Sequence, residues 1–168
     1  IAPGSNALVD IEIALVTQPD REKFLKNILS ELKGFDYVLI DCPPSLSVLT
    51  LNALTAAHEV LIPLQMEVLT LQGLDQIMKT VQKVKKAFNP KLNINGFVVV
   101  MFDVRRKLSL EVLEYLQENV QEKIFRSQIR MNVKLAEAPS FGKSVLDYDT
   151  SSNGARDYAA LAAEYLEV

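Results

Sequence analysis

With 168 residues, 49% of them hydrophobic and 23% charged, the chain suits a folded domain with a real core and is not a disordered polymer. A net charge of −3 excludes a diffuse basic field, so any contact with nucleic acid must come from a local patch. The single cysteine, Cys42, excludes an intramolecular disulfide and a cysteine-only metal site, and no apolar run approaches the roughly 20 residues of a membrane span.

The first ten residues, "IAPGSNALVD", lack both the basic leader and the apolar core of a signal peptide, and without an initial Met they read as a cut into a longer sequence. Residues 20–34 predict a helix with Asp20 as N-cap, an apolar stripe of Phe24, Leu25, Ile28, Leu29 and Leu32, and Gly34 as the stop. Residues 36–41 predict a short strand of the nearly all-apolar kind that is covered on both faces. A short helix over 46–57 and a second buried strand over 59–64 come next. The run 69–88 is amphipathic, with Leu71, Leu74, Ile77, Met78, Val81 and Val84 on one face, and Asn89-Pro90 ends it. Residues 94–102, "INGFVVVMF", predict a third strand, 108–120 a helix, and 123–129 a fourth, weaker strand. Residues 144–149, "SVLDYD", read as an edge strand. The chain closes on a helix over 151–166, packed through Tyr158, Ala159, Ala162, Tyr165 and Leu166.

Strands alternating with helices at this spacing imply an α/β fold, a mainly parallel sheet with helices on both faces, in a single domain spanning 1–168. Ligands of such sheets bind beyond the carboxyl ends of the strands. The segments there are "DCPPSL", "PLQMEVL", "MFDVRRK" and "IRMNVKLAEAPSFGKS". On periodicity alone Asp41, at the end of the first of these strands, reads as a turn or cap residue. A magnesium-side carboxylate is the other reading, and it asks for a phosphate loop of the form G-x-x-x-x-G-K-[ST] between a strand and a helix. "EAPSFGKS", 137–144, shares only the last three letters: Glu137 stands where glycine is needed, and the run after it, "VLDYD", reads as a strand. It is a false match.

"DYVLIDCPPSLSVLTLNAL" and "IRMNVKLAEAPSFGKSVLDYDTSSNGARDYAALAAEYL" resemble the ParA/Soj partition ATPases, a deviant Walker-motif group that also holds MinD and the nitrogenase iron protein. The resemblance runs from the first residues to the last and implies a P-loop NTPase fold seen without its first strand and phosphate loop, that is, the C-terminal two-thirds of a ParA. The 168-residue chain is then expected not to hydrolyse ATP by itself. In the intact protein the resemblance implies ATP and Mg²⁺ as cofactors, with Asp41 as the Walker B carboxylate orienting water on the metal. Pro43 and Pro44 fall in the switch loop that responds to the γ-phosphate, and Phe102, Asp103, Arg130, Met131 and Asn132 lie near adenine. Arg130 replaces the usual proline of the family signature, and taken singly Met131 reads equally as a packing residue and Asn132 as a turn cap. Arg105 and Lys134 fall where the family binds DNA without sequence preference. Any one such charge, taken alone, reads as a solvated loop residue. The implied partners are a second copy in the ATP state, DNA and a ParB-like activator, in the cytoplasm at the nucleoid and not at a membrane.

Two other functions compete. A MinD-like membrane cycle needs a basic amphipathic C-terminal helix, and "ARDYAALAAEYLEV" is small-residue-rich and acidic. A purely binding module on the same sheet, one that never had a phosphate loop, is the other alternative, and the retained "DCPPSL" counts against it. His58 has no ligand neighbours and reads as structural, and Cys42 as a small buried residue.

Overall fold

Side-chain amides, more than apolar stripes, join the helices of the first of two units in this computed structural model, which describes residues 5, 7–43, 45 and 47–167. That unit comprises residues 1–60 with 76–93, and the second comprises 61–75 with 94–168. The first unit contains α1 (Ala7–Leu15), to which the sequence assigned no element, a 3-10 turn (Arg21–Lys23), α2 (Phe24–Ser30) and α3 (Val48–Ala56). It also holds the last half of α4 (Val68–Ala87).

Asp20 does not cap. It sits at φ +53°, and its carboxylate accepts from Lys23 Nζ at 2.7 Å, so the chain enters α2 through the 3-10 turn. The side chain of Asn52, 3% exposed, carries the packing instead. Its Nδ2 donates to Arg21 O (2.7 Å) and Val48 O (2.9 Å), and its Oδ1 accepts from Leu25 N (3.0 Å). Asn89 plays the same part at the end of α4, donating to Leu54 O (3.0 Å) and Ala57 O (2.7 Å). A buried amide that saturates backbone groups on two elements fixes their register as well as their contact.

Residues 36–41 form no strand, contrary to what their letters predict. Tyr37, Val38 and Leu39 are exposed, Leu39 at 90%. A strand exists through its ladder, and residues 36–41 are not part of the described sheet β1-β2-β3. Cys42, expected to be buried, is exposed.

In the second unit the sheet runs β1-β2-β3, from β1 (Glu59–Gln65), β2 (Asn93–Phe102) and β3 (Ile129–Arg130). β3 lies parallel to β2, Val100 opposite Ile129 and Phe102 opposite Arg130. Phe97, Val98 and Val99 are consecutive, so they face alternately, and all are at most 2% exposed. Both faces of the sheet are therefore covered, as the α/β class requires. On one face Val98, Phe125 and Ile129 pack with Leu161 and Tyr165 of α8 (Asn153–Leu166). α5 (Lys107–Asn119) buries Val112, Leu113 and Leu116. The fourth strand shrinks to a bridge between Phe97 and Ile124 followed by β3. A Cβ on Gly96 would stand 2.5 Å from Lys123 O, so this close approach requires glycine.

Two further expectations change. Residues 145–148 are α7 (Val145–Tyr148), not an edge strand. Ser144 Oγ accepts from Asp147 N (3.2 Å) and donates to Asp147 Oδ2 (2.7 Å), a cap that outweighs the β-like letters. In α8 the inward residues are Gly154, Ala155, Asp157 and Glu164, with Leu161 and Tyr165 half-buried, while Tyr158, Ala159, Ala162 and Leu166 are exposed.

Candidate functional site

β2 and β3 are parallel neighbours, so the loops that leave their carboxyl ends start side by side. The ladder runs into those loops, because Met131 N donates to Phe102 O at 3.2 Å. Between Val100 and Phe102 the register shifts, and Met101 adopts φ +52°, a left-handed conformation that a methionine rarely takes. This irregularity leaves Met101 exposed, buries Phe102 and begins the loop at Asp103.

Asp103 organises the first loop. Its Oδ1 accepts from the backbone N of Arg105 (3.0 Å) and from Arg105 Nε (2.9 Å), and its Oδ2 accepts from Arg105 Nη2 (2.8 Å). These bonds, the guanidinium's first and the backbone's second, hold the Asp103 carboxyl down to about 2. The next two cations are paired as well, Arg106 with Glu67 at 3.9 Å and Lys107 with Glu111 at 3.4 Å.

The second loop is held from α8. Asp157 Oδ2 accepts the backbone N–H of Arg130 (3.0 Å), and Arg130 Nη2 donates to Asp157 Oδ1 (2.6 Å). Burial alone would raise the Asp157 carboxyl, but the hydrogen bonds from Arg130 outweigh it and hold it below the ordinary range. Glu164 similarly accepts from the backbone N of Arg126 (2.9 Å) and Ser127 (2.8 Å), two residues ahead of β3. Asn132 then caps α6 (Val133–Glu137), its Oδ1 accepting from Lys134 N at 2.8 Å. Lys134 Nζ donates to Glu137 Oε2 at 2.8 Å, and Tyr148 OH donates to the same oxygen at 3.0 Å. The bond from Lys134, then that from Tyr148, holds the Glu137 carboxyl below its usual range.

Phe102, Asp103, Arg105, Arg130, Met131, Asn132 and Lys134 thus share one end of the β2–β3 pair. Asp41 and Pro43 belong to the other unit, and Pro44 lies outside the described residues. Asp41 is exposed, and no described residue takes its carboxylate. No group of three or more His, Cys, Asp or Glu able to hold a metal occurs among the described residues. A single open carboxylate fits Mg²⁺, which keeps most of its waters and takes one or two protein carboxylates beside the phosphates. "GKS" has another use here: Gly142, at φ +62°, ends the 3-10 turn Ala138–Phe141, and Ser144 caps α7. A cavity of about 440 Å³ in the first unit is lined by Val16, Arg21, Leu51, Lys83, Val84 and Phe88 among others, and by none of the candidate residues.

A family model described as an AAA domain matches residues 1–94. The chain is 46% identical over 163 residues to the chromosome-partitioning ATPase Soj of Treponema pallidum (strain Nichols), covering 96% of this chain and 64% of that protein. With the sporulation initiation inhibitor protein Soj of Bacillus subtilis (strain 168) it shares 43% over 165 residues, covering 98% and 65%. The chain belongs to the ParA/Soj family. It spans just under two thirds of the length of these relatives. A solved structure of cobyrinic acid a,c-diamide synthase from Mycobacterium smegmatis, with bound ADP and magnesium, superposes with a TM-score of 0.81 at 34% identity. That match covers 98% of this chain and 60% of the other. Against the ParA/Soj signature the departure at Arg130 now has a physical account. Its backbone N–H donates to Asp157, which a proline could not do.

Sequence reading missed Asp157, Glu164, Glu137 and Tyr148. Asp157 and Glu164 stand seven residues apart, two helical turns, in phase with Gly154 and Leu161, and that polar pair on the small-residue face was the available signal.

Proposed function

We propose that this chain is the larger part of a ParA-type partition ATPase. In the intact protein ATP drives dimerisation, the dimer binds DNA without sequence preference, and a ParB-like activator stimulates hydrolysis and release during chromosome or plasmid segregation. The observation that carries this reading is the 46% identity to a chromosome-partitioning ATPase across 96% of the chain. The ADP and magnesium bound to the cobyrinic acid a,c-diamide synthase support a nucleotide–magnesium site.

Asp41, exposed and open, would hold Mg²⁺ through water, and the metal when bound would neutralise charge on the triphosphate. Pro43 and Pro44 would belong to a loop that responds to the γ-phosphate, and Ser47, a few residues later in the sequence, caps α3 by accepting from Leu49 N at 3.1 Å. Phe102, Asp103, Met131 and Asn132 would border the adenine, with Arg130 fixing their loop through Asp157. Arg105 and Lys134 would meet DNA phosphates. The test uses the intact protein. Asp41→Ala should abolish most Mg²⁺-dependent hydrolysis while the far-UV circular dichroism stays unchanged. Unaltered turnover would remove Asp41 from the site, and absence of turnover in the unsubstituted intact protein would remove the ATPase reading.

A further inference from the structure

The two cations assigned to DNA share a feature that the sequence does not show. Each is already bound to a carboxylate two or three residues away, Asp103 for Arg105 and Glu137 for Lys134, and each cation is open to solvent. The Arg105 side chain is 86% exposed, yet Asp103 occupies its Nε–Nη2 edge with both oxygens. That edge is one a guanidinium uses to grip a phosphate bidentately. Lys134, 42% exposed, donates to Glu137, whose carboxylate is itself fixed by Tyr148 OH. Exposed ion pairs add little to folding stability, so these two are poorly explained as struts. Their larger effect is on what can approach, because a phosphate meets a neutral pair instead of a cation.

We infer that Asp103 and Glu137 set the DNA affinity of this surface, holding Arg105 and Lys134 in intramolecular ion pairs that a phosphate must displace. The inference rests on the proposed DNA binding. Affinity for nucleic acid grows with the counterions released as cations neutralise phosphates. A cation that exchanges one anion for another contributes less to that release than a free one. The neighbouring pairs, Arg106 with Glu67 and Lys107 with Glu111, extend the same balance along the loop. A protein that must leave DNA after each nucleotide cycle is served by a surface whose cations have a place to return to.

The test measures binding of the intact protein to a mixed-sequence duplex by fluorescence anisotropy over a range of salt concentrations, at ATP saturation established for each variant by nucleotide titration because Asp103 also borders the proposed adenine position. Asp103→Asn and Glu137→Gln remove the charge but keep an acceptor for Arg105 N and Tyr148 OH, so the local turns are preserved. Each should tighten binding by about two- to five-fold and steepen the salt dependence by up to about one unit. Glu118→Gln, at an exposed position of α5, makes the same change in net charge and should do less. The gain should vanish in Asp103→Asn with Arg105→Ala, and in Glu137→Gln with Lys134→Ala. Unchanged or weaker binding in the two single variants, or an equal gain from Glu118→Gln, overturns the inference while losses in Arg105→Ala and Lys134→Ala keep the DNA reading. If those two alanine variants also bind as the parent does, the DNA reading itself falls.

Discussion

From Asp36 to Pro43 the chain exposes Tyr37, Val38, Leu39 and Asp41 and makes no strand, although its letters are those of a buried one. From Lys123 to Asp149 polar letters interrupt the apolar ones, yet one backbone group after another has a fixed partner: Arg126 and Ser127 on Glu164, Arg130 on Asp157, Lys134 on Asn132. Apolar composition provides a driving force but not an address, and a strand that finds no ladder stays unpaired however hydrophobic it is. Buried acceptors do the converse. They specify a position for particular N–H groups and so add an address to the burial of Phe125 and Ile129.

The comparison breaks first at Glu164. Its carboxylate is 8% exposed and receives two backbone donors, with Lys123 at 4.0 Å and Arg126 at 3.7 Å nearby. Glu164→Ala would leave those donors without acceptors and should cost about 3 kcal/mol, read as a lower urea midpoint at unchanged slope. A loss under about 0.5 kcal/mol, the range of ordinary surface changes, would show that the loop before β3 is ordered by something else.

Asp157 sharpens the same point through pH. Asp157→Asn should cost about 2 kcal/mol near neutral pH by weakening charge-assisted bonds to Arg130. The native carboxyl is held below its ordinary value, so its stabilisation is complete above the unfolded-state pKa of about 4 and is lost as pH falls through the folded value. The gap between parent and variant should therefore narrow as pH drops below about 4. A gap constant down to acid pH would assign the effect to shape and not to charge.

These anchors also mark where the sequence stops being legible. β1, α4, β2 and α5 were readable from their apolar letters, which survive as buried Ile62, Leu64, Leu74, Val81, Val84, Phe97–Val99 and Leu116, whereas α3 buries Asn52, Ala53 and Thr55. α8 was readable as a helix but not in its rotation. Tyr158, Ala162 and Leu166 carry the apolar letters, and Asp157 and Glu164 take the buried side because the loop beside them needs acceptors. Residues 145–148 misled in the opposite way, since Ser144 and Asp147 settle a helix end that "VLDY" alone does not suggest. At the candidate site, the loops were placed by strand order and the residue types by the ParA/Soj signature. The pairings of Arg105 with Asp103 and of Lys134 with Glu137 depend on short-range geometry that no spacing rule contains.

The smallest expected effect tests the other half of the comparison. Leu39 would be a core residue if residues 36–41 were a central strand, and replacing it with Ser would then cost several kcal/mol through lost burial and an unsatisfied hydroxyl. In this structure its side chain is 90% exposed and nothing covers it among the described residues. Leu39→Ser should therefore change the stability of the 168-residue chain by no more than about 0.5 kcal/mol. The same substitution should raise solubility, because an exposed apolar run of Tyr37, Val38 and Leu39 invites association between copies. Urea unfolding at two protein concentrations separates the two effects, since association makes the midpoint depend on concentration and folding alone does not. A loss above about 2 kcal/mol, the scale of a buried side chain, would mean that Leu39 packs into a core in solution. The contrast between an exposed apolar run and one anchored by buried acceptors would then no longer hold.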